Sequence, residues 1–181
     1  MTYDPVARLL HWLMALLLIV MFVFGLQMDD LSLAERRQAL PMHAGTGLVL
    51  LLLALFRLGW RWRHPAPPYP DSMSARQQKW AKGAVHGFYL LMILLPIAGL
   101  LRAAVYVDFE IHAFGIWNLT ALLPSDEALG GIFQTIHGLF AWFLALLLIG
   151  HVGAALKHAF IERDGIPARM IPFLKAGKGP K

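Results

Sequence analysis

Cysteine is absent from the 181 residues, which excludes disulfides, thiolate-held iron–sulfur clusters and the C-x-x-C-H attachment of c-type haem. Charge is scarce too, at 15% of residues, and four stretches carry no Asp, Glu, Lys or Arg at all: residues 9–28, 38–56, 83–101 and 128–156. Low-complexity sequence is missing, and so is the inverted internal repeat that marks many transporters. The chain therefore has little with which to build a soluble surface. Apolar residues make up 58%, with a mean hydropathy of +0.58, and that composition belongs to membrane proteins.

Each uncharged stretch is close to the ~20 residues that cross about 30 Å of hydrocarbon. The pattern predicts an all-α integral membrane protein, a four-transmembrane-helix bundle in a single membrane domain over residues 1–181, with helices near 7–28, 40–60, 80–102 and 128–158. The first stretch reads as a retained helix, because it is long, has only Arg8 before it and lacks a small-residue cleavage site. Pro41 falls near the expected start of the second helix, where proline is tolerated. Pro65, Pro67, Pro68 and Pro70 make the connection over residues 61–73 a stiff surface segment. The segment 105–117 is rich in aromatic residues and is expected at the membrane interface.

Basic residues are one-sided. Arg8, the six in the 57–82 connection and the six from Lys157 to Lys181 account for 13 of the 16. The positive-inside rule then places both termini in the cytoplasm and the chain, multi-pass, in a bacterial inner membrane. That sidedness and attraction to anionic lipid headgroups explain the pI of 9.8 without a nucleic-acid partner. The opposite face holds Arg36, Arg37 and Arg102 against Asp29, Asp30, Glu35, Asp108, Glu110, Asp126 and Glu127. It does not as a whole attract an anion, although a local pocket at Arg102 would.

Ionisable groups are costly in a bilayer and usually face a bundle interior. His137 and His151 lie fourteen residues apart in one uncharged stretch, about 21 Å along a helix and within roughly 40° of the same face. Sorted by depth, His11 pairs with His151 at the cytoplasmic side and His43 with His137 at the outer side. Two neutral imidazoles above and below an iron porphyrin make a six-coordinate haem suited to electron transfer, with no position left open for oxygen chemistry. The irons would then lie roughly 20 Å apart by helix rise.

Alternatives stay open at this level. His86 is a possible replacement for His11, and His158, at the basic boundary, suits a headgroup, propionate or surface role. His64 and His112 read as solvated loop residues. Gly45, Gly47, Gly138 and Gly150 either let a flat ring approach the backbone or merely serve helix packing. Arg57 or Arg61 at one end and Arg102 at the other are candidate partners for haem propionates, or simple flanking anchors. A histidine-lined transporter of a metal or protons would use the same ligands without haem.

Several of these residues also carry a resemblance. Arg8-Leu9-Leu10-His11-Trp12, His43 leading to Gly45 and Gly47, WRWRHPAPP over residues 60–68, and Pro96 with Gly99 resemble the prokaryotic cytochrome b561 family. So do Phe114-Gly115 and the ending Leu156-Lys157-His158, Phe160, Arg163-Asp164-Gly165 and Met170. The family is similar to the membrane cytochrome b subunits of formate dehydrogenases and nickel–iron hydrogenases. The resemblance implies two haem b groups, each with bis-histidine ligation by His11, His43, His137 and His151, and electron exchange with quinone (ubiquinone) in a respiratory chain. It leaves the donor open, a small molecule such as superoxide or a protein. It also leaves open a haem-bearing anchor subunit of a dehydrogenase complex without activity of its own, and a dimer or larger complex. Tyr89, Trp117 and Trp142 are candidate quinone neighbours, equally well read as interface anchors.

Overall fold

The computed structural model describes residues 2–70 and 73–171. Lys175, Lys178 and Lys181, counted above among the basic residues, lie outside the described residues. Four helices form the body: α1 Pro5–Gln27, α2 Leu33–Arg63, α3 Ala75–Ala104 and α4 Glu127–Lys157. All four are long and apolar enough to cross a membrane, and the fold is the expected all-α bundle.

Their ends follow from local chemistry. Asp4 caps α1, its carboxylate accepting from the Ala7 N–H at 2.9 Å ahead of Pro5. Ser32 and Glu35 form a reciprocal capping box on α2, and Ser74 and Gln77 do the same for α3. The Ser32 box starts α2 at Leu33 rather than near residue 40, so Pro41 sits inside the helix and not in its first turn. The Ser74 box likewise starts α3 at Ala75 rather than near residue 80. Both signatures are visible in the sequence, but the hydropathy reading begins each helix only where charge stops.

Packing runs in chain order, α1 on α2, α2 on α3 and α3 on α4, while α4 meets α1 and α2 at few points. Met14, Ala54 and Met92 are buried at the centre, with Leu18, Leu53 and Phe88 around them. Lipid chains are as apolar as these side chains, so close van der Waals fit rather than exclusion from water holds the helices together.

Tyr3, ahead of α1, and Arg169, after α4, meet at one end of the bundle. The Tyr3 N–H donates to the Arg169 carbonyl at 3.2 Å, the Trp12 indole N–H donates to the Met170 carbonyl at 3.1 Å, and Arg169 Nη1 donates to the Pro68 carbonyl at 2.6 Å. This is the terminal end, and the α1–α2 and α3–α4 connections form the hairpin end.

At the hairpin end the α3–α4 connection, expected at the membrane interface, folds into a packed cap. Val105, Tyr106, Ile111, Ala113 and Leu119 are buried, and together with Ala103 the last four form a core cluster against Leu40 and Ala44 of α2. A two-residue hairpin, β1 His112–Ala113 with β2 Trp117–Asn118, turns through Phe114 and Gly115 at φ +51° and +73°. The tip, with Ile116 and Trp117, stays exposed in the manner of a membrane-interface anchor, and Val107, Leu122 and Leu123 are exposed as well.

Candidate functional site

Each histidine pair is assembled from two helices that barely touch otherwise. At the terminal end His11 of α1 and His151 of α4 have ring centres 6.1 Å apart and planes at 67°. At the hairpin end His43 of α2 and His137 of α4 are also 6.1 Å apart, with planes at 69°. Both pairs use α4, with α1 supplying the partner at one end and α2 at the other, and the two separations are the same.

That separation is compatible with one metal ion between the rings. Two metal–imidazole bonds of about 2.0 Å and two ring radii of about 1.1 Å place the ring centres roughly 6.2 Å apart when one metal lies between them. The donor set is neutral imidazole only, in apolar surroundings, which suits iron porphyrin better than a hard cation. The residues present therefore fit a bis-histidine haem at each end.

Second contacts orient the rings. His137 Nδ1 donates to the Leu95 carbonyl of α3 at 3.0 Å, and its ring lies against Gly99, where a Cβ would come within 2.8 Å of Cε1 and 2.9 Å of Nδ1. His43 stands 5.9 Å from the Phe24 ring, and its Nδ1 is buried without a hydrogen-bond partner. Phe88 packs edge-on to His151 at 5.3 Å.

Two of the three candidate arginines, Arg57 and Arg102, lie at the pairs, while Arg61 lines a small cavity with Tyr3, Trp60 and His64. Arg57 Nη2 is 3.5 Å from His11 Nδ1. Arg102 donates through Nε to Gln134, one turn before His137, and its guanidinium lies over the Tyr106 ring at 5.4 Å. Either could hold an anionic group beside its pair, as a propionate requires.

The other histidines go elsewhere. His86 is exposed, and Phe88 rather than His86 lies against His151. His64 stacks on Trp60 with ring centres 4.1 Å apart, and His112 pairs with Glu110 at 2.9 Å. His158 is held by Glu162 at 2.5 Å and Asp164 at 2.6 Å. These three bring metal-capable atoms within 4.8 Å of one another, but the Lys157 ammonium sits 2.8 Å from Glu162 and opposes a cation there.

Of the glycines expected to admit a flat ring, Gly45 has another use. A Cβ on it would come within 2.8 to 2.9 Å of the Phe114 ring of the cap, so its bareness seats that ring. Gly47, Gly138 and Gly150 have no atom within 4 Å of where a Cβ would be. Of the aromatic candidates, Tyr89 borders a small cavity with Tyr3, Arg57, Trp60 and His64 at the terminal end, whereas Trp117 and Trp142 are exposed.

With this geometry established, comparison with known proteins is decisive. The profile of the family described as Prokaryotic cytochrome b561 matches residues 2–173. The chain belongs to that family.

Relatives agree in length as well as sequence. Cytochrome b561 homolog 2 of Escherichia coli K12 is 30% identical over 172 residues, covering 93% of this chain and 90% of that protein. Cytochrome b562 of Cereibacter sphaeroides is 27% identical over 175 residues, covering 93% and 94%. A Yersinia pestis protein named Probable superoxide oxidase CybB is 27% identical over 169 residues, covering 90% and 92%. The protein is thus a multi-pass membrane cytochrome of the b type, a class that binds haem b and transfers electrons.

Proposed function

We propose that this cytochrome holds two haem b groups, one between His11 and His151 and one between His43 and His137, and carries electrons from a donor to ubiquinone. The observation that carries this reading is the common 6.1 Å ring separation of the two pairs. Haem iron supplies one-electron chemistry, while the chain fixes ring positions, excludes water and tunes potential. Both pairs are closed by imidazole on each side, which suits electron transfer rather than oxygen binding. Arg57 and Arg102 neutralise propionates at the terminal and hairpin ends.

The basic residues support the terminal end facing the cytoplasm of a bacterial inner membrane, which sets the His43–His137 pair toward the outside. Superoxide is the donor class we propose, because a relative covering nine-tenths of the chain is named a probable superoxide oxidase. In that reaction two superoxide anions each lose one electron and leave as dioxygen. Ubiquinone takes both electrons with two protons and becomes ubiquinol.

The test is a dithionite-reduced minus oxidised spectrum of the purified protein, with haem quantified per chain, followed by superoxide-dependent ubiquinone reduction. Two low-spin b haems per chain are expected. One haem would break one of the pairs, and none in well-loaded protein would favour a histidine-lined transporter.

A further inference from the structure

The outer pair is held asymmetrically. On one side His43 Nδ1 is buried with no hydrogen-bond partner. On the other, His137 is gripped by two features of α3, a carbonyl acceptor at Leu95 and a bare backbone at Gly99. Pro96 lies between them inside the helix. A proline has no N–H, so the rung that would run from residue 96 to the Met92 carbonyl is missing from the α3 ladder.

We infer that Leu95 and Gly99 form a cradle that positions His137 for metal ligation, making them positioning residues of the outer haem. The chemistry is constrained. A carbonyl oxygen only accepts, so Nδ1 must carry the ring proton, and the lone pair of the neutral imidazole is then on Nε2. Nε2 is left as the ligating nitrogen. The carbonyl also draws Nδ1–H toward it and makes the ring more electron-rich, which favours the oxidised metal. Gly99 sets how deep the ring sits. Contacts of 2.8 and 2.9 Å are closer than real Cβ atoms tolerate, and the obstacle would be a packed imidazole rather than the free end of a flexible chain.

This inference rests on His137 being a haem ligand, and the experiment separates the two claims. Haem content, low-spin EPR and midpoint potentials are measured for the wild type, Gly99→Ala and, as a control on the same helix, Gly83→Ala, where a Cβ would meet nothing within 4 Å. Gly99→Ala is expected to shift the g-values of one haem and raise the potential of that haem alone, or to lose it, while the other haem and Gly83→Ala stay unchanged.

Unchanged spectra in Gly99→Ala would overturn the cradle, and so would equal disturbance of both haems. Should Gly99→Ala not accumulate, reduced wild-type protein with ¹⁵N-labelled histidine decides. A histidine ring N–H showing a nuclear Overhauser effect to the Gly99 α-protons supports the cradle, and its absence overturns it. Wild-type protein without two haems fails the functional reading itself and takes the inference with it.

Discussion

Each of the four paired histidines should report on its own haem. His11→Ala and His151→Ala are expected to remove the same haem, halving haem per chain, and His43→Ala and His137→Ala to remove the other. Loss of different haems within a pair, read from EPR and potentiometry, would break that pairing. Asp4 offers a second test. Burial opposes its ionisation, but the Ala7 N–H, the Trp60 indole N–H at 3.1 Å and the nearby His64 outweigh it and hold its carboxyl below the ordinary 3.8. Its contribution to stability is therefore complete above that value and is lost as pH falls through the lowered folded value. Asp4→Ala should cost about 1 kcal/mol as a lost cap, lowering Tm in detergent near neutral pH and narrowing its gap to the parent below pH 4. The paired histidines were legible because an uncharged stretch makes an ionisable residue conspicuous and depth sorts it. Leu95 and Gly99 were not, because a backbone carbonyl and a missing Cβ have no sequence signature of their role.

Helix ends and the cap belong to the scale of elements. Ser32→Ala removes one half of a capping box, where the Ser32 hydroxyl and N–H both lie within 2.9 Å of Glu35 Oε2. A loss of about 1 kcal/mol is expected, with faster amide exchange confined to the first turn of α2. The cap gives a sharper test. Gly45→Ala would drive a Cβ against Phe114, whose ring is held by a hairpin with two consecutive positive-φ residues. Overpacking of this kind costs roughly 1–3 kcal/mol, and the expected outcome is faster proteolytic cleavage within residues 106–122. Unchanged cleavage would mean that Phe114 moves aside freely. Hydropathy placed the spans but not the starts of α2 and α3, since a capping box lies outside the apolar stretch. That the segment folds onto α2 as a cap was not legible, because aromatic composition looks the same whether a segment lies in headgroups or packs on helices.

At the scale of the whole molecule, orientation is testable directly, because the chain has no native cysteine. Ser125→Cys at the hairpin end and Ser74→Cys at the terminal end are both exposed positions. An impermeant thiol reagent added to intact cells lacking an outer membrane should label Ser125→Cys, and Ser74→Cys only after lysis. The reverse pattern would place the His43–His137 pair toward the cytoplasm.

The sequence alone determined that four apolar helices cross a membrane, that no thiol chemistry is present, and which histidines lie at matching depths. Those properties are set by composition and by the fixed rise of a helix, and neither needs a neighbour to be known. Only the tertiary structure decided that the partners meet at 6.1 Å, that Phe88 and not His86 faces His151, and that α3 grips His137. Each depends on how helices distant in sequence rotate and approach one another, and that rotation is fixed by close packing across the bundle rather than by any local pattern.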